Sequence, residues 1–189
     1  LETGEAGFSA LETAAALAEA DYRKTARALS AARRKAAVAL DVAVVKELAP
    51  LKLGKASFLT DIRTDENRPM AEGFDAVEFL VRTNPGSPAG PLKTIASGGE
   101  LSRFVLAMKA ALAARESRTV IIFDEVDSGV GGAVADAVGE RLARLALDAQ
   151  VLVVTHSPQV AARAVNHWRI EKTQTAKRAV TRVEALSAG

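Results

Sequence analysis

Cysteine is absent from the 189 residues, which removes disulfide scaffolds, thiolate metal sites and cysteine nucleophiles from consideration. Aromatic residues make up only 4% of the chain. Tyr22, Trp168 and the phenylalanines are therefore the whole stock of rings on which a nucleic-acid base could stack. An excess of one charge is missing as well: 25 Lys and Arg face 23 Asp and Glu, a net of +2, so global electrostatics gives no argument for a nucleic-acid partner. No uncharged apolar run reaches the roughly 18–20 residues that cross a bilayer. The amino terminus lacks the basic segment and apolar core of a signal peptide, and it begins at Leu1 rather than Met. With 49% hydrophobic and 25% charged residues, the composition is that of a folded protein rather than a disordered tail. The reading at this level is a soluble, intracellular chain without a membrane partner, of a length for one domain or part of a larger one.

Glycine and proline are missing where they matter most, between Phe8 and Ala49, and 16 of the first 50 residues are Ala. A helix over that span would be about 60 Å long at ~1.5 Å per residue, beyond the usual globular helix, so residues 1–50 are expected to form a coiled-coil arm. One heptad seam runs through Leu11, Ala15, Ala18, Tyr22, Thr25, Leu29, Ala32, Ala36 and Ala39 and fails at Lys46. Larger residues, Leu40, Val44, Leu48 and Leu51, lie on a shifted stripe, where the arm would enter a globular body. The basic run Arg33-Arg34-Lys35 invites a DNA reading, although such runs are usually solvated helix faces.

Pro50 to Gly54 ends the helix. Ser57–Arg63 and Phe74–Thr83 read as two antiparallel strands, and 84–91 is a loop by its prolines and glycines. Residues 51–189 then become α/β. Leu101, Phe104, Val105, Met108 and Leu112 have helical spacing, as do Val134, Val138, Leu142 and Leu145. Thr119–Phe123 and Val151–Val154 are short apolar runs of the buried-strand type. A short helix follows Pro158, and a closing hairpin spans His167–Lys172 and Ala179–Leu186, with His167 in a structural role.

Four segments sit at strand ends or helix starts, where open α/β sheets bind ligands. Ser97-Gly98-Gly99-Glu100 precedes a helix. Alone it is a capping box, yet the same glycines bare backbone N–H groups at a helix N-terminus, which favours phosphate. Val120-Ile121-Ile122-Phe123-Asp124-Glu125 matches a Walker B sequence. Adjacent acids at a strand end are costly unless something positive compensates. A hydrated Mg2+ would do so for Asp124, leaving Glu125 to deprotonate water. Asp127-Ser128-Gly129-Val130-Gly131-Gly132 is a flexible turn with one acid, and Thr155-His156 ends the next strand. Each is weak alone.

Their order and spacing are those of the C-terminal half of an ABC-type ATPase. In detail, Val77-Glu78-Phe79-Leu80, Ala96-Ser97-Gly98-Gly99-Glu100-Leu101-Ser102-Arg103, Phe123-Asp124-Glu125-Val126-Asp127 and Val154-Thr155-His156 resemble the RecN family of bacterial SMC-like DNA-repair ATPases. The resemblance covers Ser57 to about Leu186. It implies an α/β fold: the C-terminal lobe of an ABC-type (P-loop NTPase) head with mainly parallel core strands at 51–189, preceded by a coiled-coil helix. It also implies roles. Ser97, Gly98, Gly99 and Glu100 match the signature loop that touches the γ-phosphate of ATP on the opposite subunit. Asp124 matches the Mg2+ acid, Glu125 the catalytic base, Asp127 the D-loop at the dimer seam, and His156 the switch histidine. Ser128 and Val130 depart from the family's usual residues there. The implied partners are the N-terminal half of the head, a second head across sandwiched ATP, and DNA, and the implied setting is the bacterial cytoplasm, at the nucleoid.

A Walker A loop, G-x-x-x-x-G-K-[ST], occurs nowhere. Gly54-Lys55-Ala56-Ser57 is a decoy, with Ala56 where the Mg2+-binding hydroxyl belongs. The expectation is an ATP hydrolase in the complete protein and an inactive isolated chain. Two alternatives stand beside it. Another SMC-like or transporter-type domain is one; a transporter would not carry such an arm before its signature segment. A non-catalytic coiled-coil scaffold is the other, and retention of Glu125 argues against it.

Overall fold

The computed structural model describes residues 2–95, 97–112, 120–175 and 178–186. Helix α1 runs unbroken over Glu2–Leu48. Alanine-rich sequence without Gly or Pro favours this, and Lys52, at φ 61°, closes the end in a left-handed turn with Leu53 N–H donating to the Leu48 carbonyl at 3.0 Å. Strands β1 (Ser57–Thr64) and β2 (Asp75–Arg82) pair antiparallel in the register Phe58 opposite Val81, and β3 (Gly90–Pro91) adds a short third strand. Next come α2 (Gly98–Leu112), β4 (Val120–Asp124), α3 (Gly132–Leu145), β5 (Gln150–Val154) and α4 (Pro158–Ala161). Strands β4 and β5 are parallel, Asp124 opposite Val154. Strands β6 (His167–Thr175) and β7 (Arg178–Leu186) form an antiparallel hairpin.

The α/β pattern is as expected: among the described residues the central pair β4–β5 is parallel, and the two sheets beside it are antiparallel. The apolar runs of β4 and β5 are not fully buried. Ile121, Phe123, Val151 and Val153 pack on the core, whereas Val120, Ile122 and Val154 are more than half exposed on the other face. A run apolar on both faces is suited to cover on both sides, and the helices here cover one. No described helix is long and apolar enough to cross a membrane.

Helix α1 does not stand clear of the lobe. From Tyr22 onward one face lies along the β1–β2 hairpin. Ala26, Ser30, Ala37, Val44 and Leu48 are buried there, and Val44 and Leu48 share one core with Phe58, Phe104, Phe123 and Val138. Much of the contact is polar. The Asp75 carboxylate, buried at the head of β2, accepts hydrogen bonds from Ser30 (2.9 Å), Thr64 (2.7 Å) and Arg33 (3.1 Å). Asp41 accepts both the backbone N–H and the hydroxyl of Thr60, at 2.9 and 2.8 Å, which satisfies an outward-facing amide of edge strand β1. Tyr22 and Met70 exchange two hydrogen bonds through the phenol and the backbone. The basic run is largely absorbed into this contact: Arg33 also donates to the Glu72 carbonyl at 2.8 Å, and Arg34 donates to Thr64 at 2.7 Å. The heptad seam lies elsewhere on the helix, with Leu11 and Leu29 exposed.

Candidate functional site

The N-terminus of α2 and the turn after β4 meet without room to spare. Ser97 caps the helix: its Oγ accepts the Glu100 N–H at 3.4 Å and its carbonyl accepts the Leu101 N–H at 3.0 Å. Among the described bonds this is the half of the capping box present, with Ser97 Oγ as the acceptor. Gly99 is required by packing, and Gly98 leaves room for the Glu125 carboxylate. A Cβ on Gly98 would fall 2.9 Å from Glu125 Oε2, and one on Gly99 would fall 2.9 Å from Ser128 Cβ and 3.0 Å from its carbonyl oxygen. At Gly99 the contact is with backbone, which cannot give way, whereas at Gly98 the Glu125 side chain would have to move. The glycines thus let a helix N-terminus, the positive end of its dipole, lie against the Glu125 carboxylate.

The turn itself is held on several sides. Glu125 sits at φ 56°, a left-handed conformation that costs a non-glycine residue roughly 1–2 kcal/mol. The Glu125 carbonyl accepts the Ser128 N–H at 2.9 Å. From α2, Ser102 donates to the Asp124 carbonyl at 2.9 Å, and Arg103 donates through Nη1 to the Ser128 carbonyl at 2.9 Å. Burial lowers the pKa of Arg103, with the charge of Glu100 partly offsetting it. From β5, the Thr155 hydroxyl donates to Asp127 Oδ2 at 2.5 Å and the Ser157 N–H donates to the same oxygen at 3.2 Å.

The residues singled out from sequence therefore fall into two groups. Ser97, Gly98, Asp124, Glu125 and His156 are exposed, with Glu100 half-buried beside them. Parallel pairing puts the ends of β4 and β5 side by side, so Asp124–Glu125 and Thr155–His156 emerge from one edge. Asp127 is placed differently: it is 1% exposed and points inward, tying the turn to β5, with His156 Nδ1 4.0 Å from its Oδ2. Gly99 is likewise buried. In the sequence Ser102 and Arg103 stand within the motif but carry no assigned role. The spacing Gly99, Arg103, Leu106 would have placed the arginine on the packed face of α2.

Asp124 fits a divalent cation. Its carboxylate is exposed at the strand end and makes no hydrogen bond or ion pair among the described residues. Mg2+ takes one or two carboxylates and completes its shell with water and phosphate oxygens, so a single exposed carboxylate is a donor it could use.

No protein-family profile matches the chain. The DNA repair protein RecN of Rickettsia conorii (strain ATCC VR-613 / Malish 7) is 46% identical over 182 residues, covering 96% of this chain and 33% of that protein. RecN of Xylella fastidiosa (strain Temecula1 / ATCC 700964) is 45% identical over 152 residues, 80% of this chain and 27% of that protein. Among solved structures, the Smc head domain with an extended coiled coil from Pyrococcus furiosus, bound to the C-terminal domain of ScpA, aligns with a TM-score of 0.55 at 20% identity. That alignment covers 79% of this chain and 35% of the other. The Smc head domain with a coiled coil and joint from Pyrococcus yayanosii aligns at 0.56 and 21% identity, covering 79% of this chain and 27% of the other. The fold is that of an Smc-type head domain segment, an α/β lobe carrying a long helix. The chain spans about a third of the length of the curated relatives it matches, and over that third it belongs to the RecN family of DNA repair proteins.

Proposed function

We propose that this chain is the signature-bearing half of an ATPase head which, completed by an N-terminal half with a Walker A loop, hydrolyses ATP between two heads in DNA double-strand-break repair and recombination. The observation that carries the reading is the clamped turn: a strained Glu125 at a strand end, its carboxylate against the Ser97–Glu100 helix start, beside a free Asp124. In this reading Mg2+, when bound at Asp124, neutralises charge on the phosphates. Glu125 takes the proton of the attacking water. His156, exposed at the adjacent strand end, orients toward the γ-phosphate. Ser97, the amides of Gly98 and Gly99, and Glu100 meet the nucleotide held by the opposite head, and the Asp127 turn lines the seam. The remaining partners are a second copy across the seam and DNA, and the setting is the cytoplasm, at the nucleoid. The exposed apolar face of β4–β5 is where the N-terminal half would cover the sheet.

Glu125→Gln and Asp124→Asn in the complete protein test this. Gln keeps the size but cannot accept the proton, so turnover falls by ~10²-fold or more, while Mg2+ and ATP still bind and heads accumulate as dimers. Asp124→Asn loses Mg2+-dependent binding and dimerisation together. Light scattering with and without ATP and Mg2+ separates the two. Wild-type turnover in Glu125→Gln removes it as the base.

A further inference from the structure

The near-neutral net charge hides a segregation on α1. From Lys24 to Lys46 the helix carries six basic residues and one acid, Asp41. That acid is turned to β1, where it accepts the Thr60 N–H and hydroxyl. Three of the basic residues are held by the β1–β2 hairpin: Arg27 by Glu66, Arg33 by Asp75 and the Glu72 carbonyl, and Arg34 by Thr64. The other three, Lys24, Lys35 and Lys46, are exposed and make no hydrogen bond or ion pair among the described residues. They recur every 11 residues, which is three helical turns to within about 20°. They therefore form a straight row, about 16.5 Å from one to the next and about 33 Å in all. The row faces away from the docked side of Ala26, Ala37 and Val44. Exposed Ala28, Ala31 and Val42 lie between the lysines, so little bulk keeps a flat or rod-like partner from the helix.

The chemistry of the row selects its partner. Unpaired ammonium groups in line call for a straight polyanion, and about 33 Å is close to one turn of a DNA duplex, about 34 Å. Single strands are held largely by stacking on aromatic rings, and no aromatic residue lies between Lys24 and Lys46. The nearest ring, Tyr22, is committed to the hairpin through Met70 and Phe74. Phosphates, rather than bases, are what this face can meet. We propose that the Lys24, Lys35 and Lys46 row of α1 is a contact surface for the phosphate backbone of duplex DNA, which lies along the helix irrespective of its sequence. The proposal rests on the reading of DNA as a partner of the complete protein.

The test measures duplex binding by the complete protein over a range of salt concentrations. The row variant combines Lys24→Gln, Lys35→Gln and Lys46→Gln; a charge-keeping counterpart has Arg at the same three positions. A control combines Lys52→Gln, Lys55→Gln and Lys172→Gln, an equal loss of charge at exposed sites off the helix. Losing three phosphate contacts should make the slope of log K against log salt shallower by about 2.7, alike on duplexes of unrelated sequence. The Arg counterpart and the control should keep the wild-type slope. Lysine acetylation of the wild type gives a second readout that needs no variant to fold: Lys24, Lys35 and Lys46 should react in the free protein and be protected by duplex. An unchanged slope in the row variant, or an equal change in the control, overturns the surface and leaves DNA binding in place. Protection of the three lysines without DNA overturns it as well, since the rest of the protein then covers that face. A wild type that binds no duplex removes DNA as a partner, and the surface with it.

Discussion

Gly98 and Gly99 are adjacent, yet alanine at each should act differently. At Gly98 a methyl group meets the end of a flexible side chain, Glu125 Oε2. The carboxylate can swing away, so Gly98→Ala should unfold within ~0.5 kcal/mol of wild type while hydrolysis by the complete protein drops sharply. At Gly99 the methyl group meets the Ser128 and Glu125 carbonyl oxygens, at 3.0 and 3.3 Å. Backbone cannot swing, so Gly99→Ala should cost about 1–3 kcal/mol of stability as well as activity. Thermal melts and turnover of both variants check the contrast; equal destabilisation would contradict it. The Ser-Gly-Gly-Glu spacing was legible in sequence as a cap or a phosphate cradle. The steric reason for the glycines was not, because it depends on a turn that begins at Glu125, 25 residues after Glu100.

Between elements, the strongest polar hold is Asp75 between α1 and the β1–β2 hairpin. Burial alone would raise its pKa, but hydrogen bonds from Thr64, Ser30 and Arg33, with the charge of Arg33, bring it below the ordinary aspartate value. A carboxyl depressed by folding contributes stability that is fully present above its unfolded pKa and is lost as pH falls through the lower folded value. The clasp between α1 and the hairpin should therefore weaken only in acid. Asp75→Asn keeps the shape but loses the charge, so it should be less stable by ~2 kcal/mol near neutral pH. The difference from wild type should shrink as pH falls below the aspartate range. Denaturant melts across pH measure this, and a gap that stays constant would place the stabilisation elsewhere. The helix itself was plain from 42 residues without Gly or Pro. Its docked face was harder to see: the heptad seam follows alanines, whereas the docked stripe mixes Ala26, Ser30, Arg33 and Asp41 with Val44 and Leu48. Apolar periodicity cannot recognise a contact made largely of hydrogen bonds.

Over the whole molecule, the helix and strand pattern and the edge that gathers Asp124, Glu125 and His156 followed from sequence, while the degree of burial did not. An apolar run records the cover that a strand is suited to, and β4 and β5 have cover on one face only. The phosphate-cradling lysine and loop amides are absent as well. Isothermal titration of this chain alone should accordingly detect no micromolar ATP binding, and binding should appear when an N-terminal half is supplied. Micromolar affinity without it would mean that the nucleotide is held by other residues. The long helix has a mechanical side too. It is clasped from Tyr22 to Leu48, leaving about 20 residues, roughly 30 Å, projecting beyond the last contact. A rigid rod held at one end is a lever. A tilt of roughly 10° at the clasp would carry a point that far along the helix through about 5 Å, so a displacement of the hairpin too small to break a hydrogen bond becomes a movement the size of a helical turn there.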